Sequence, residues 1–260
     1  MMKWTISCLQ FDISYGKSSE NIKKAEFLIE EESKHADVLV LPELWTTGYD
    51  LANLDQLADE DGRIAQSWLK KTAKKHGVHI IAGSVAVRKD SDVYNTMYIA
   101  DKEGQIIKEY RKAHLFQLMD EHLYLSAGSE DGCFELDGVK SAGLICYDIR
   151  FPEWIRKHTT KGANVLFISA EWPLPRLDHW KSLLIARAIE NQCFVAACNC
   201  TGSNPDNEFA GHSLIIDPWG RVLAEGSREE GIVRAEIDLH KSVEVRESIP
   251  VFDDIRKDLY

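Results

Sequence analysis

Three short, unbroken apolar runs constrain this chain most. Val38-Leu39-Val40-Leu41, Asn164 to Ser169 and Phe194 to Cys198 are too short for buried helices and lack the alternation of a one-sided strand. They predict strands covered on both faces. Helical spacing separates them. Ile22, Ala25, Leu28 and Ile29 predict a helix reaching about His35, capped by Ser18 and Ser19. Ile64, Trp68, Leu69 and Ala73 predict an inward face for Arg63 to His76, and Leu183, Leu184, Ala188 and Ile189 do the same for Asp178 to Gln192. A further helix is predicted near Pro152 to Thr160, with Pro152 in its first turn.

Trp4 to Phe11 and Val78 to Val87 read as strands. Hairpins are predicted for Tyr94 to Ala100 with Gln105 to Tyr110, and for Cys133 to Leu136 with Val139 to Ile145 across Asp137-Gly138. Two last hairpin strands are expected near His212 to Ile216 and Ile232 to Ile237, followed by an irregular tail from His240. Hairpins that interrupt a strand–helix alternation predict an α/β fold with mixed sheets and outer helices. No repeat or linker divides the chain, so residues 1–260 are read as a single domain.

Charge narrows the function classes. The net charge is -11 and the Lys and Arg residues are scattered, which disfavours nucleic acid and anionic membrane surfaces as partners. No stretch approaches the roughly 20 apolar residues of a membrane span, and the N-terminus does not read as a secretory signal. The six cysteines, several inside apolar runs, read as free thiols of a cytoplasmic protein. A small-molecule substrate is the expected partner.

Reactive side chains stand where apolar segments end. Glu43 follows the first buried strand, where burial raises a carboxyl toward proton-shuttling range. Lys112 follows the strand ending at Tyr110 and can face a developing negative charge. Cys146 sits between a strand and a helix, as a nucleophile on a sharp turn does, and a nearby cation or helix N-terminus is expected to lower its pKa. Each residue alone also fits a plainer role: a surface Glu, a solvated Lys, a core Cys. His114 reads as a base or as a structural histidine.

Taken in order, the three segments resemble the motifs of the nitrilase superfamily of carbon–nitrogen hydrolases. The matching residues are Pro42-Glu43 with Thr47-Gly48-Tyr49, Arg111-Lys112 with His114-Leu115-Phe116, and Cys146-Tyr147-Asp148-Ile149-Arg150-Phe151-Pro152-Glu153. The resemblance runs from Trp4 to about Ile237. It implies an αββα sandwich that pairs as a homodimer or larger homo-oligomer, and a Glu43–Lys112–Cys146 triad supported by a second glutamate, Glu121. It also implies a polar helix motif at Arg187 to Gln192, in which Glu190 braces the core or lies on the surface. Glu171-Trp172-Pro173, Pro175-Arg176 and His179-Trp180 resemble the ω-amidase branch, whose substrates are ω-amides of 2-oxo acids. Tyr147, Arg150, Trp172 and Arg176 are then the candidate substrate-binding residues, the arginines suiting a carboxylate or a structural ion pair.

The chemistry so implied is thioester formation on Cys146 with Glu43 as base and acid, without metal or organic cofactor. Nitrile hydrolysis and acyl transfer use the same triad and compete with it. A non-catalytic binding protein is disfavoured by the complete residue set. Metal binding through Cys193, Cys198 and Cys200 is disfavoured because the spacing is not Cys-x-x-Cys. Pocket shape is expected to depend on the loops Asn53 to Asp61 and Thr201 to Glu208.

Overall fold

A computed structural model describes residues 2–256 and 258–259. It contains two mixed sheets. The first comprises β1 (Lys3–Gln10), β2 (Val38–Val40), β3 (Asp59–Glu60), β4 (His79–Ile81), β5 (Val85–Lys89), β6 (Asp92–Ala100), β7 (Ile106–Arg111) and β14 (Gly231–Asp238). The second comprises β8 (Cys133–Leu136), β9 (Val139–Ile145), β10 (Val165–Ala170), β11 (Phe194–Asn199), β12 (Leu214–Ile216) and β13 (Val222–Glu225). Each has a parallel centre, β1–β2–β4 in one and β9–β10–β11 in the other, with antiparallel strands at its flanks.

Strand parity explains the layers. Ile6, Cys8, Val38 and Val40 join the core shared with Leu144, Phe167 and Val195 of the second sheet. Their neighbours Leu9, Leu39 and Leu41 point the other way, onto Ala25, Ile29, Leu69 and Ala73 of the helices Ser18–Glu32 and Arg63–His76. The helices Pro152–Thr159 and Leu177–Asn191 cover the far face of the second sheet. The αββα sandwich implied by the motifs is therefore present, and β2, β10 and β11 are fully buried as their apolar runs predict.

Several expectations fail for identifiable reasons. Val78 to Val87 is two strands, because the chain turns at Gly83 (φ +55°), where a Cβ would stand 1.8 Å from the Pro42 carbonyl oxygen. β12 and β14 form no hairpin together. β12 pairs with β13, a short and largely exposed strand, while β14 crosses to pair with β1. The tail is partly helical, at Lys241–Ser248 and Val251–Asp254. The first helix stops at Glu32 and has no side-chain cap, so Ser18 and Ser19 do not cap it. Ile64 and Ile189, expected inward, are exposed; periodicity marks an apolar face but not its edges.

Candidate active site

The ends of β2, β7, β9 and β10 converge at one rim. Glu43 lies three residues beyond β2, Lys112 directly after β7, Cys146 directly after β9 and Glu171 directly after β10. All four are buried. Lys112 Nζ donates to Glu43 Oε1 at 2.7 Å and to Glu121 Oε1 at 2.5 Å. Tyr49 OH lies between the same two oxygens, donating to Glu121 Oε1 at 2.5 Å with Glu43 Oε1 3.0 Å away. Asn95 Nδ2 gives Glu43 Oε1 a further bond at 2.8 Å, and the Glu171 backbone N–H reaches Glu43 Oε2 at 2.9 Å. Glu121 Oε2 accepts from the Phe116 N–H at 2.8 Å. Every carboxylate oxygen of Glu43 and Glu121 thus has a donor, as burial demands.

The Cys146 turn is made locally. β9 ends at Ile145, Cys146 takes φ +44°, and a short 3₁₀ turn runs to Arg150 before Pro152 starts the next helix. A non-glycine residue in this region costs on the order of 1–2 kcal/mol, so something must hold it. Asp148 does. Its carboxylate accepts from the Ile145 N–H at 3.0 Å, Tyr110 OH at 2.6 Å and the His114 N–H at 3.1 Å, and its Oδ1 lies 2.8 Å from His114 Nδ1. Arg187 Nε adds a bond to the Ile149 carbonyl at 2.9 Å, and its Nη1 pairs with Glu190 at 2.7 Å. Glu190 therefore braces the turn through Arg187. His114 stacks on Phe151 and serves the turn structurally.

Burial and neighbouring charge shift each group in a definite direction. Burial pulls the Lys112 ammonium down, but the Glu121 and Glu43 carboxylates outweigh it and raise its pKa overall. Burial pushes Glu121 up, opposed by Lys112. The Cys146 thiol lies well above the usual range, first through burial and then through the Glu43 carboxylate, with Lys112 only partly offsetting both. The expected lowering of the thiol pKa is therefore reversed. A thiol held in this way favours its protonated form, and Glu43 is the carboxylate that the raised pKa places beside it.

A narrow cleft opens at Cys146, walled by Phe116, Tyr147, Arg150, Trp172, Pro173 and Arg176. It brings together all four residues expected to bind substrate. The two arginines have no carboxylate within ion-pair distance among the described residues. The Arg150 guanidinium lies 4.8 Å from the Trp172 ring centre and 6.0 Å from that of Tyr147, and Arg176 lies 5.5 Å from that of Phe116. Neither Asn53 to Asp61 nor Thr201 to Glu208 lines this wall directly; the Glu208 carbonyl accepts from the Leu174 N–H at 2.8 Å and so backs the turn that carries Arg176, while Thr201 to Glu208 also lines a separate polar cleft with Asp12 and Glu230.

Tyr49, Asn95, Asp148 and Asn199 were not singled out as site residues by the sequence reasoning. Tyr49 and Asp148 lie inside the motifs, but Asn95 and Asn199 carry no local signal. Cys193, Cys198 and Cys200 are buried free thiols. Among the described residues, potential metal ligands converge only at Asp131, Cys133 and His158. There Asp131 pairs with Lys161 at 2.6 Å, while His158 accepts from the Gly132 N–H at 2.9 Å and lies 2.6 Å from the Trp154 carbonyl. Both ring nitrogens are thus already engaged.

Residues 5–247 match the carbon-nitrogen hydrolase family. The 2-oxoglutaramate amidase of Bacillus subtilis (strain 168) is 95% identical over 259 residues, covering 100% of each chain. The 2-oxoglutaramate amidase of Paenarthrobacter nicotinovorans is 37% identical over 237 residues, 86% of this chain and 80% of the relative. Among solved structures, XC1258 from Xanthomonas campestris is a CN-hydrolase superfamily protein with an arsenic adduct in its active site. It matches with a TM-score of 0.92 at 32% identity, covering 99% of this chain and 98% of that one.

Proposed function

Because the chain belongs to the carbon-nitrogen hydrolase family, we propose that it hydrolyses the ω-amide of a 2-oxo dicarboxylic acid, 2-oxoglutaramate foremost, to the acid and ammonia. The observation that carries the substrate class is the pair of arginines at the Cys146 cavity. Two half-buried guanidiniums without acid partners, close enough for Arg176 to depress the Arg150 pKa behind the effect of burial, call for an anion between or beside them. A substrate carboxylate supplies it and leaves the ω-amide directed at Cys146.

The reaction follows from the site. Glu43 takes the Cys146 thiol proton as sulfur bonds to the amide carbon. The oxyanion develops beside the Lys112 ammonium and the Tyr147 N–H. Its collapse breaks the C–N bond, and ammonia leaves with the proton that Glu43 held. Glu43 then deprotonates a water that cleaves the thioester, and the acid and free thiol are restored. Glu121 and Tyr49 hold Lys112 and Glu43 in place throughout. No step draws on a metal or an organic cofactor.

Residues 1–260 act as one catalytic unit in the cytoplasm, where six free thiols stay reduced. No helix of the described residues is long and apolar enough to cross a membrane. The active form is a homodimer. Exposed Ile189, Trp219, Val222 and Leu223 support a second copy as the partner, with Ile189 packed beside Gly220. A monomer by light scattering would overturn this. The activity is tested by ammonia release from 2-oxoglutaramate beside succinamate, glutamine and an aliphatic nitrile. Rapid release from the oxo-acid amide, abolished in Cys146→Ala, is the expected result; release from the nitrile alone would refute it.

A further inference from the structure

We propose that Trp172 is a positioning residue that fixes the separation of the Arg150 and Arg176 guanidiniums, and so selects amides by the carboxylate they carry; this rests on the carboxylate-binding reading of the two arginines. Trp172 lies two residues beyond β10 and is held from three directions. Its backbone N–H donates to Asn199 Oδ1 at 2.7 Å, while its carbonyl accepts from Asn199 Nδ2 at 3.3 Å and from the Ala210 N–H at 2.9 Å. Its ring packs tilted against buried Trp180, with centres 5.3 Å apart. An indole so clamped has almost no freedom.

From that position it holds both arginines by different means. Its face carries the Arg150 guanidinium at 4.8 Å. Its edge, through Nε1, donates to the Arg176 carbonyl at 2.8 Å and pins the short turn Leu174–Arg176. An aromatic face attracts a guanidinium without consuming any of its five N–H donors, as a carboxylate partner would. Arg150 spends one Nη2 hydrogen on His179 Nδ1, 3.4 Å away, and both arginines keep their remaining donors for a ligand. Two like charges repel, so their spacing survives only if rigid groups impose it. Trp172 touches both residues, the Arg150 guanidinium and the Arg176 backbone.

The test compares Trp172→Phe and Trp172→Leu with Arg150→Met and Arg176→Met. The Phe variant keeps an aromatic face and loses the indole N–H; the Leu variant loses both. For 2-oxoglutaramate, KM should rise a few-fold in Trp172→Phe and ~10-fold or more in Trp172→Leu, as expected for losing a desolvated cation–π contact and a hydrogen bond. The kcat should stay within about 3-fold, and iodoacetamide should alkylate Cys146 at the wild-type rate, because the nucleophile is untouched. An unchanged KM in both Trp172 variants would overturn the proposal, as would a joint fall of kcat and alkylation rate. If Trp172→Leu fails to fold, Trp172→Phe alone decides. If the arginine variants raise KM and the tryptophan variants do not, only the role of Trp172 fails. If the arginine variants also leave KM unchanged, the carboxylate reading itself fails.

Discussion

Lys112 and the Arg150–Arg176 pair are all cations near Cys146, yet the fold treats them in opposite ways. Lys112 is wholly buried and ion-paired with Glu43 and Glu121, with Tyr49 bridging the two carboxylates. The arginines are half-buried, rest on aromatic faces and meet no carboxylate among the described residues. Lys112 therefore belongs to a closed cluster whose geometry is set before substrate arrives, which suits a charge that must meet a transition state. Apart from one Arg150 hydrogen directed at His179, the arginines keep their donors open, which suits recognition of a bound anion. Under the proposed function, one region governs turnover and the other affinity.

Three substitutions test that division, in falling order of effect. Cys146→Ala should lower kcat by at least ~10³-fold, since losing a nucleophile leaves only binding and oxyanion stabilisation; full turnover in ammonia-release assays would end the mechanism. Lys112→Ala should lower kcat ~10²–10³-fold with little change in KM. It should also destabilise the fold by about 3–5 kcal/mol, because Glu43 and Glu121 lose their buried counter-ion. Steady-state kinetics and denaturant melts read both effects, and a rise in KM alone would mean that Lys112 acts as the arginines do. Arg176→Met should do the reverse, raising KM for 2-oxoglutaramate ~10–100-fold with kcat nearly kept, as befits a charged hydrogen bond worth about 1.5–3 kcal/mol. An equal fall of kcat would merge the two regions into one.

The closed cluster was more legible in the sequence than the open wall. Glu43, Lys112 and Cys146 each follow a strand that apolar pattern alone locates, and the hairpin Cys133–Leu136 with Val139–Ile145 is found at its predicted bounds because Asp137-Gly138 marks its turn. What stayed hidden depends on contacts distant in sequence. Asn95 faces Glu43 from β6 across 52 positions, and Asn199 clamps Trp172 across 27. Neither leaves a local trace. The reversed thiol pKa was hidden for the same reason: it follows first from how deeply the fold buries Cys146 and then from the Glu43 carboxylate brought beside it.

Glu171 offers the finest test of the closed cluster. Its side chain is buried, its Oε1 has no partner, and Lys112 is already committed to two other carboxylates. Burial, then the Glu43 charge, raises its pKa well above the usual range. In the unfolded chain, without that burial, it ionises at the ordinary value. A folded pKa above the unfolded one means that the contribution to stability is present below the unfolded value and is lost as pH rises toward the folded one. Glu171→Gln removes this dependence while keeping the backbone N–H that holds Glu43. The variant should match the wild type at low pH and exceed it progressively above the ordinary carboxyl range, by about 1.4 kcal/mol per pH unit until the folded pKa is reached. Turnover near neutrality should change only a few-fold. Denaturant melts across that range read the effect, and a constant difference between the two proteins would mean that Glu171 is ionised in the fold, with a cation to balance it.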